Sequence, residues 1–531
     1  MRPTRSPSPE KILLTLAAAV FFCGAARAQN LDQIGVTLLR AFTTNVDGSG
    51  IRVAQPEADT DGNTNDPSAF EVNPASANFP AGRFAYYSAA GTDTAFPNSV
   101  GNESGHADAV GGIFYGLGSG VATNVAHVDG YDADFFVNYY VFNLTQMPAA
   151  SVVNQSFTFN PLSVSDQQGV DSAYDDYAET FGTLFISAAN NIGNSPVVCA
   201  PGTDYNCISV GAFANDSYYN SFGPTIDNGR CKPDITAPSG ETSFSTPQVA
   251  GAAALLQQAA RRGDGGADTN SAADNRTVKA LLLNGAVKTA DWTNSNSSPL
   301  DLRYGAGVVN VFNSYEELAG GKNNFRATSL IALGAAHPPA NATNFIAALS
   351  GWDFNTNSST ATNDSVNHYF FSVTNGIATA TLVWNRQLGE TNINDLDLFL
   401  VNLANSNLVA CSTSRVDNVE HIFLPHLAAG RYDLQVLKNG GANVVSDSET
   451  YALAWAFVAP TLSLAKSGTN LALTWPVYPA GFGVAVATNL ASTVVWNTNY
   501  LSSSVVTNGQ NCLLLNATNT AQFFRLRSPN F

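Results

Sequence analysis

From about residue 33 to 320 the chain alternates between two hydrophobic patterns. Short β-branched runs at 51–54, 151–154, 184–187 and 208–211 read as strands, and the stretches 173–180, 247–262 and 275–290 between them carry helical spacing. Strands alternating with helices predict a mostly parallel sheet covered by helices on both faces, because parallel neighbours need a crossover and a helix supplies it. After Gly320-Gly321 the helical period disappears. Alternating strands at 368–373, 378–384, 396–401, 432–437 and 451–457 predict an antiparallel, jelly-roll-like sandwich ending near Val458. Ala459-Pro460 then opens a smaller β-rich segment, with strands expected at 462–464, 470–475 and 523–526.

The N-terminus changes the picture of where this chain acts. Arg2, Arg5 and Lys11 precede an apolar run over 12–23, and Ala26-Arg27-Ala28 is a small-x-small cleavage site. This predicts a secretory signal over 1–28, cleaved after Ala28. No other long apolar span follows, so no transmembrane segment is expected once the signal is removed. The expected destination is secretion, the periplasm or the cell surface. The remaining divisions are an α/β domain over 29–322, a sandwich over 323–458 and a small β domain over 459–531.

Composition narrows the partners. The 531 residues carry 24 Lys+Arg against 41 Asp+Glu, a net charge of −17. Removing Arg2, Arg5, Lys11 and Arg27 with Glu10 leaves 20 basic and 40 acidic residues, a net of −20. So acidic a chain excludes nucleic acid as an expected partner. Hydrophobic residues make up 45%, enough for a sizeable core. Cys199 and Cys207 bracket a short loop of turn formers (CAPGTDYNC), and in an oxidising compartment they are expected to form a local disulfide.

The candidate chemistry begins at Glu241-Thr242-Ser243-Phe244-Ser245-Thr246-Pro247, where a Ser opens a small-residue apolar helix. A hydroxyl there sits at the positive end of a helix dipole, where a developing anion is stabilised; the same residue also suits a helix cap. Five further motifs accompany it: Gly105-His106-Ala107-Asp108-Ala109-Val110-Gly111-Gly112, Asn154-Gln155-Ser156-Phe157, Ala188-Ala189-Asn190-Asn191-Ile192-Gly193, Lys232-Pro233-Asp234-Ile235-Thr236-Ala237-Pro238 and Tyr304-Gly305-Ala306-Gly307-Val308-Val309-Asn310. In this order they resemble the motifs of the subtilisin-like serine peptidases over roughly residues 33–320. The resemblance implies a Ser–His–acid triad acting on protein or peptide substrates through an acyl-enzyme. It makes Ser243 the nucleophile and His106 the general base. Asn191 and the Ser243 N–H become oxyanion donors, and Ser156 and Phe157 line the substrate strand.

The acid departs from the family's pattern. The first strand reads Arg52-Val53-Ala54-Gln55-Pro56-Glu57, and counting along it puts Glu57 at the acid position, with Asp59 or Asp61 as alternatives. If none served, the chain would be a catalytically weakened subtilisin-like protein acting as an extracellular binding or adhesion module. Glu241 replaces the glycine two residues before the nucleophile, and Asn190 replaces the glycine before Asn191. The related sedolisin type, which also uses a Glu, fits less well because His106 sits in a His-type motif. The chemistry requires no cofactor. Structural calcium is compatible with the family, and Asp395 and Asp397, alternating on one face of a sandwich strand, are the weak candidates for metal ligands.

Overall fold

The computed structural model describes residues 27–59, 68–193, 195–213, 221–490, 494–497, 504–507, 509–516 and 521–527. The expected signal up to residue 26, and Asp61, lie outside the described residues. The first part of the chain contains β1 (Arg52–Glu57), β2 (Ala69–Glu71), β3 (Phe84–Ser88), β4 (Gly91–Asp93), β5 (Asn102–Glu103), β6 (His127–Asp132), β7 (Val152–Gln155), β8 (Leu184–Ala188), β9 (Ile208–Phe213) and β10 (Ile235–Pro238). Its helices are α1 (Arg27–Gln33), α2 (Val36–Phe42), α3 (Gly105–Phe114), α4 (Ala133–Phe135), α5 (Val164–Phe181), α6 (Thr242–Arg261), α7 (Thr269–Ala272), α8 (Asn275–Asn284) and α9 (Val311–Ala319).

Eight strands form one sheet in the order β10-β9-β8-β7-β1-β6-β3-β4, parallel except where β3 meets β4. Successive side chains on a strand face opposite ways, so each central strand feeds two cores. Val53, Val152, Leu184 and Ile186 pack with Val249, Ala253 and Leu256 of α6 on one face. Ala54, Val153 and Phe185 pack with Tyr174 and Tyr177 of α5 on the other. The strand order reverses at β1: the chain moves out to β3 and β6 on one side before returning to β7 on the other. At such a reversal the loops beyond the strands' C-terminal ends diverge and leave a crevice. Glu57 ends β1 and Ser156 follows β7, so both stand at its mouth.

Close approach explains the small residues. A Cβ on Gly251 would lie 2.4 Å from Val121 Cβ, so α6 can sit this deep only with glycine there. Gly305 and Gly307 have φ of 59° and 125°, and a Cβ on Gly305 would meet the Asp234 carbonyl carbon at 2.2 Å. The Lys-Pro-Asp motif is structural. Asp234 Oδ2 accepts from Lys232 Nζ and from the Ser209 N–H, both at 2.8 Å, and ties β10 to β9.

The second part holds β11 (Ala327–Ala332), β12 (Ser350–Ser358), β13 (Asn363–Val373), β14 (Gly376–Trp384), β15 (Leu396–Asn402), β16 (Leu408–Ser412), β17 (Val419–Leu427), β18 (Gly430–Lys438) and β19 (Ser448–Val458). They form antiparallel sheets ordered β11-β13-β18-β15-β16 and β12-β19-β14-β17, which pack around Trp384, Trp455, Leu398 and Leu434. Polar contacts join this sandwich to the first part: Arg386 pairs with Asp175 at 2.6 Å, and Asn284 Oδ1 accepts from Thr379 and Thr381 at 3.0 Å each. Beyond it, β20 (Ser463–Ser467), β21 (Asn470–Pro476), β22 (Gly483–Ala487), β23 (Val505–Thr507), β24 (Gln510–Asn516) and β25 (Phe523–Arg527) form two small antiparallel sheets around Trp475 and Leu513.

The expected Cys199–Cys207 disulfide is not formed; both are buried thiols. Cys199 Sγ accepts from Asn190 Nδ2 at 3.0 Å, while the Cys207 thiol donates to the Asp204 carbonyl at 3.4 Å and lies 3.8 Å from Lys232 Nζ. The loop is closed without sulfur, by the Cys207 N–H on Asp204 Oδ1 (2.6 Å) and the Gly202 N–H on the Cys199 carbonyl (2.9 Å).

Candidate active site

Glu57 and Gln55 point to the same side of β1, two residues apart. Gln55 Nε2 donates to the Ala107 carbonyl at 2.9 Å, and its Oε1 accepts from Tyr115 at 2.8 Å, which fixes α3 against the strand. Ser104 caps α3 by accepting the Ala107 N–H at 3.2 Å. His106 is thereby presented in the first turn of α3. Its Nδ1 lies 3.0 Å from Glu57 Oε1, with the two side chains 12% and 1% exposed. Glu57 is therefore the carboxylate that meets the imidazole. Asp59 instead accepts the Ala69 N–H at 3.3 Å.

Pro56, unusual inside a strand, lies beyond the last β1–β7 pair, Ala54 with Val153. The ladder between those strands ends before the residue that could not donate to it.

Burial pulls the His106 pKa down, but the charge of Glu57, its hydrogen bond and the charge of Glu241 together outweigh this and hold it above the ordinary imidazole value. Burial also raises Glu241, against an opposing pull from His106. Phe244 packs beside the imidazole, with ring centroids 5.8 Å apart.

Ser243 is the second residue of α6, where backbone N–H groups have no partner within the helix. Its hydroxyl donates to the Ser156 carbonyl at 3.2 Å, and Ser156 Oγ donates back to the Ser243 carbonyl at 2.9 Å. Asn191 is held by its oxygen: Oδ1 accepts from both the N–H and the hydroxyl of Thr242, each at 2.8 Å. A planar amide fixed in this way turns its NH₂ group away from Thr242. Asn190 has φ 125°, the glycine-favouring region, so the family's glycine at this position has a conformational reason. The Asn190 side chain braces the turn by accepting the Asn191 N–H at 2.7 Å.

His106, the segment Ser156–Pro161, Asn190, Asn191, Glu241 and Ser243 line one cavity of about 250 Å³. Phe157 borders it, but its ring is 2% exposed and belongs to the core. Sequence reasoning missed Gln55, Tyr115 and Thr242 as supports. Their only signal was position: Gln55 in phase with Glu57, and Thr242 before the helix-opening Ser. The other histidines stay apart. The fully buried His368, for instance, bridges Asp433 (2.7 Å) and Ser329 (3.0 Å) across a sandwich sheet. Asp397 accepts from Asn439 at 3.1 Å, and Asp395 Oδ1 has no hydrogen-bond partner among the described residues. Among the described residues no group of three or more His, Cys, Asp or Glu side chains is placed to hold a metal ion.

A mostly parallel sheet with a Ser, a carboxylate-bound His and an anchored Asn at its strand reversal defines a hydrolase-type architecture. Residues 58–307 match the model of the Subtilase family, so the chain carries a subtilase-family domain, and the family supports a serine-type peptidase. The match begins one residue after Glu57. Solved structures similar to this chain include proteases from Pseudoalteromonas arctica, at 18% identity over 55% of this chain and 98% of that one, with a TM-score of 0.39. Fervidolysin from Fervidobacterium pennivorans, a keratinolytic enzyme related to subtilisin, is 13% identical over 94% and 77%, with a TM-score of 0.37. A cold-adapted subtilisin-like serine proteinase is 20% identical over 51% and 92%, with a TM-score of 0.35.

Proposed function

We propose that this chain is an exported serine endopeptidase using Ser243, His106 and Glu57. The observation that carries the reading is the buried Glu57–His106 contact of 3.0 Å beside the cleft that Ser243 lines. An extended substrate whose backbone N–H takes up the Ser156 carbonyl displaces the Ser243 hydroxyl from it. His106 Nε2 then accepts the hydroxyl proton as Oγ attacks the scissile carbonyl. Glu57 holds Nδ1–H and offsets the charge of the imidazolium. The oxyanion is received by the Asn191 NH₂ and the Ser243 N–H. His106 passes the proton to the leaving amine, and water, deprotonated by His106, releases the acyl group from Ser243. The set supplies nucleophile, base and oxyanion donors itself, so we take no cofactor to be needed. Among the described residues no helix is long and apolar enough to cross a membrane; N-terminal sequencing of the exported protein, expected to begin at Gln29, tests the export reading.

A second reading, a weakened enzyme serving as an extracellular binding module, draws on the Ser243 hydroxyl resting on Ser156 rather than on His106. Hydrolysis of a denatured protein substrate separates the two. Turnover that is lost in both Ser243→Ala and His106→Ala supports the peptidase. A folded wild type without turnover would sink it.

A further inference from the structure

Glu241 stands at the N-cap of α6 with extended backbone, φ −137° and ψ 146°, and its side chain makes no cap hydrogen bond. It is half-buried and lines the cleft with His106 and Ser243. Among the described residues no Lys or Arg lines that cleft, and the Glu241 carboxylate has no hydrogen-bond or ion-pair partner. A carboxylate half removed from water and left unpaired is costly, and an incoming cation would recover that cost. We propose that Glu241 is a specificity-determining residue whose carboxylate pairs with a cationic side chain, Arg or Lys, of a peptide held in the cleft. The cavity of about 250 Å³ has the volume for a long side chain.

The position also links recognition to reactivity. The charged groups acting on His106 are Glu57 and Glu241, and that acting on Glu241 is His106. A substrate cation that neutralises Glu241 offsets one of the two anions that raise the His106 pKa.

This inference rests on the reading that the cleft takes peptide, but its test does not need turnover. In the Ser243→Ala background, binding of N-acetylated hexapeptides carrying Arg at successive positions is compared with the same peptides carrying citrulline, which is isosteric and neutral. Acetylation removes the terminal amine as a competing cation. The expected result is one register in which Arg binds roughly tenfold tighter, as a charge-assisted hydrogen bond supplies. Adding Glu241→Gln should collapse that ratio toward one, with an unchanged melting temperature showing that the fold is intact. Equal binding of Arg and citrulline at every position, a ratio that survives Glu241→Gln, or no binding of any peptide would overturn the proposal. An Arg preference that is lost in Glu241→Gln, found in a chain that never hydrolyses peptide, would instead overturn only the peptidase reading.

Discussion

Replacing Glu57 by Gln keeps the size of the side chain and removes the charge that faces His106. Two unit charges 3.0 Å apart, the observed separation, interact by about 5 kcal/mol at an effective dielectric of about 20. That value suits this pair because Glu57 is 1% and His106 12% exposed. If the interaction is present with the imidazolium of the transition state and absent with the neutral base, its loss costs about 10³–10⁴ in kcat/KM. A Gln can also donate to Nδ1 and hold the wrong tautomer, which adds to the loss. The assay is kcat/KM on a fluorogenic peptide across pH, with thermal melting to verify folding. Removing an anion lowers the His106 pKa, so the acidic limb of the residual activity should move to lower pH. Asp59→Asn should change kcat/KM by less than about threefold, because Asp59 serves a backbone N–H rather than the imidazole. A folded Glu57→Gln variant with more than a tenth of wild-type activity would refute the assignment of the acid.

Asn191→Ala should cost about 10²–10³ in kcat with little change in KM, since the amide serves the oxyanion rather than the bound ground state; steady-state kinetics on one peptide checks this. Gly251→Ala drives a methyl to 2.4 Å from Val121 Cβ and should destabilise the fold by about 1–3 kcal/mol in urea unfolding, with partial recovery when combined with Val121→Ala. Asn190→Ala should lower the melting temperature more than Asn190→Gly, because both lose the side-chain hydrogen bonds but only alanine is strained at φ 125°. Burial raises Glu71, Asp397 and Glu449 to about 7 each. The folded chain keeps protons on these groups that the unfolded chain releases, so stability should fall as pH rises from about 4 through about 7. Melting temperatures measured across that range should decline, and a rise across it would contradict this account.

Much of the architecture was legible because hydrophobic period reports burial directly. The expected runs at 184–187 and 378–384 fall within β8 and β14, and 247–262 overlaps α6. β6 (His127–Asp132) was not legible. Its sequence, HVDGYD, is polar, and Asp129 is buried only because Arg52 binds it at 2.6 Å and His127 lies 3.4 Å away. A partner brought from another strand leaves no local signal. The same holds for the site. Motif order placed His106 and Ser243, and counting along β1 suggested Glu57, but only the fold separates Glu57 from Asp59. The Cys199–Cys207 pairing failed for the opposite reason: a short loop of turn formers is compatible with a disulfide, yet backbone and Asp204 hydrogen bonds close it and the two sulfurs take different partners.

The central claim is that Ser243 is a nucleophile activated by a Glu57-held His106. The most direct measurement is covalent labelling of the exported protein with a fluorophosphonate probe, followed by mass spectrometry of the modified peptide. The account predicts a single adduct on Ser243 that forms at least a thousandfold more slowly in His106→Ala and Glu57→Gln. No adduct on folded wild-type protein, or an adduct on another serine, would contradict it.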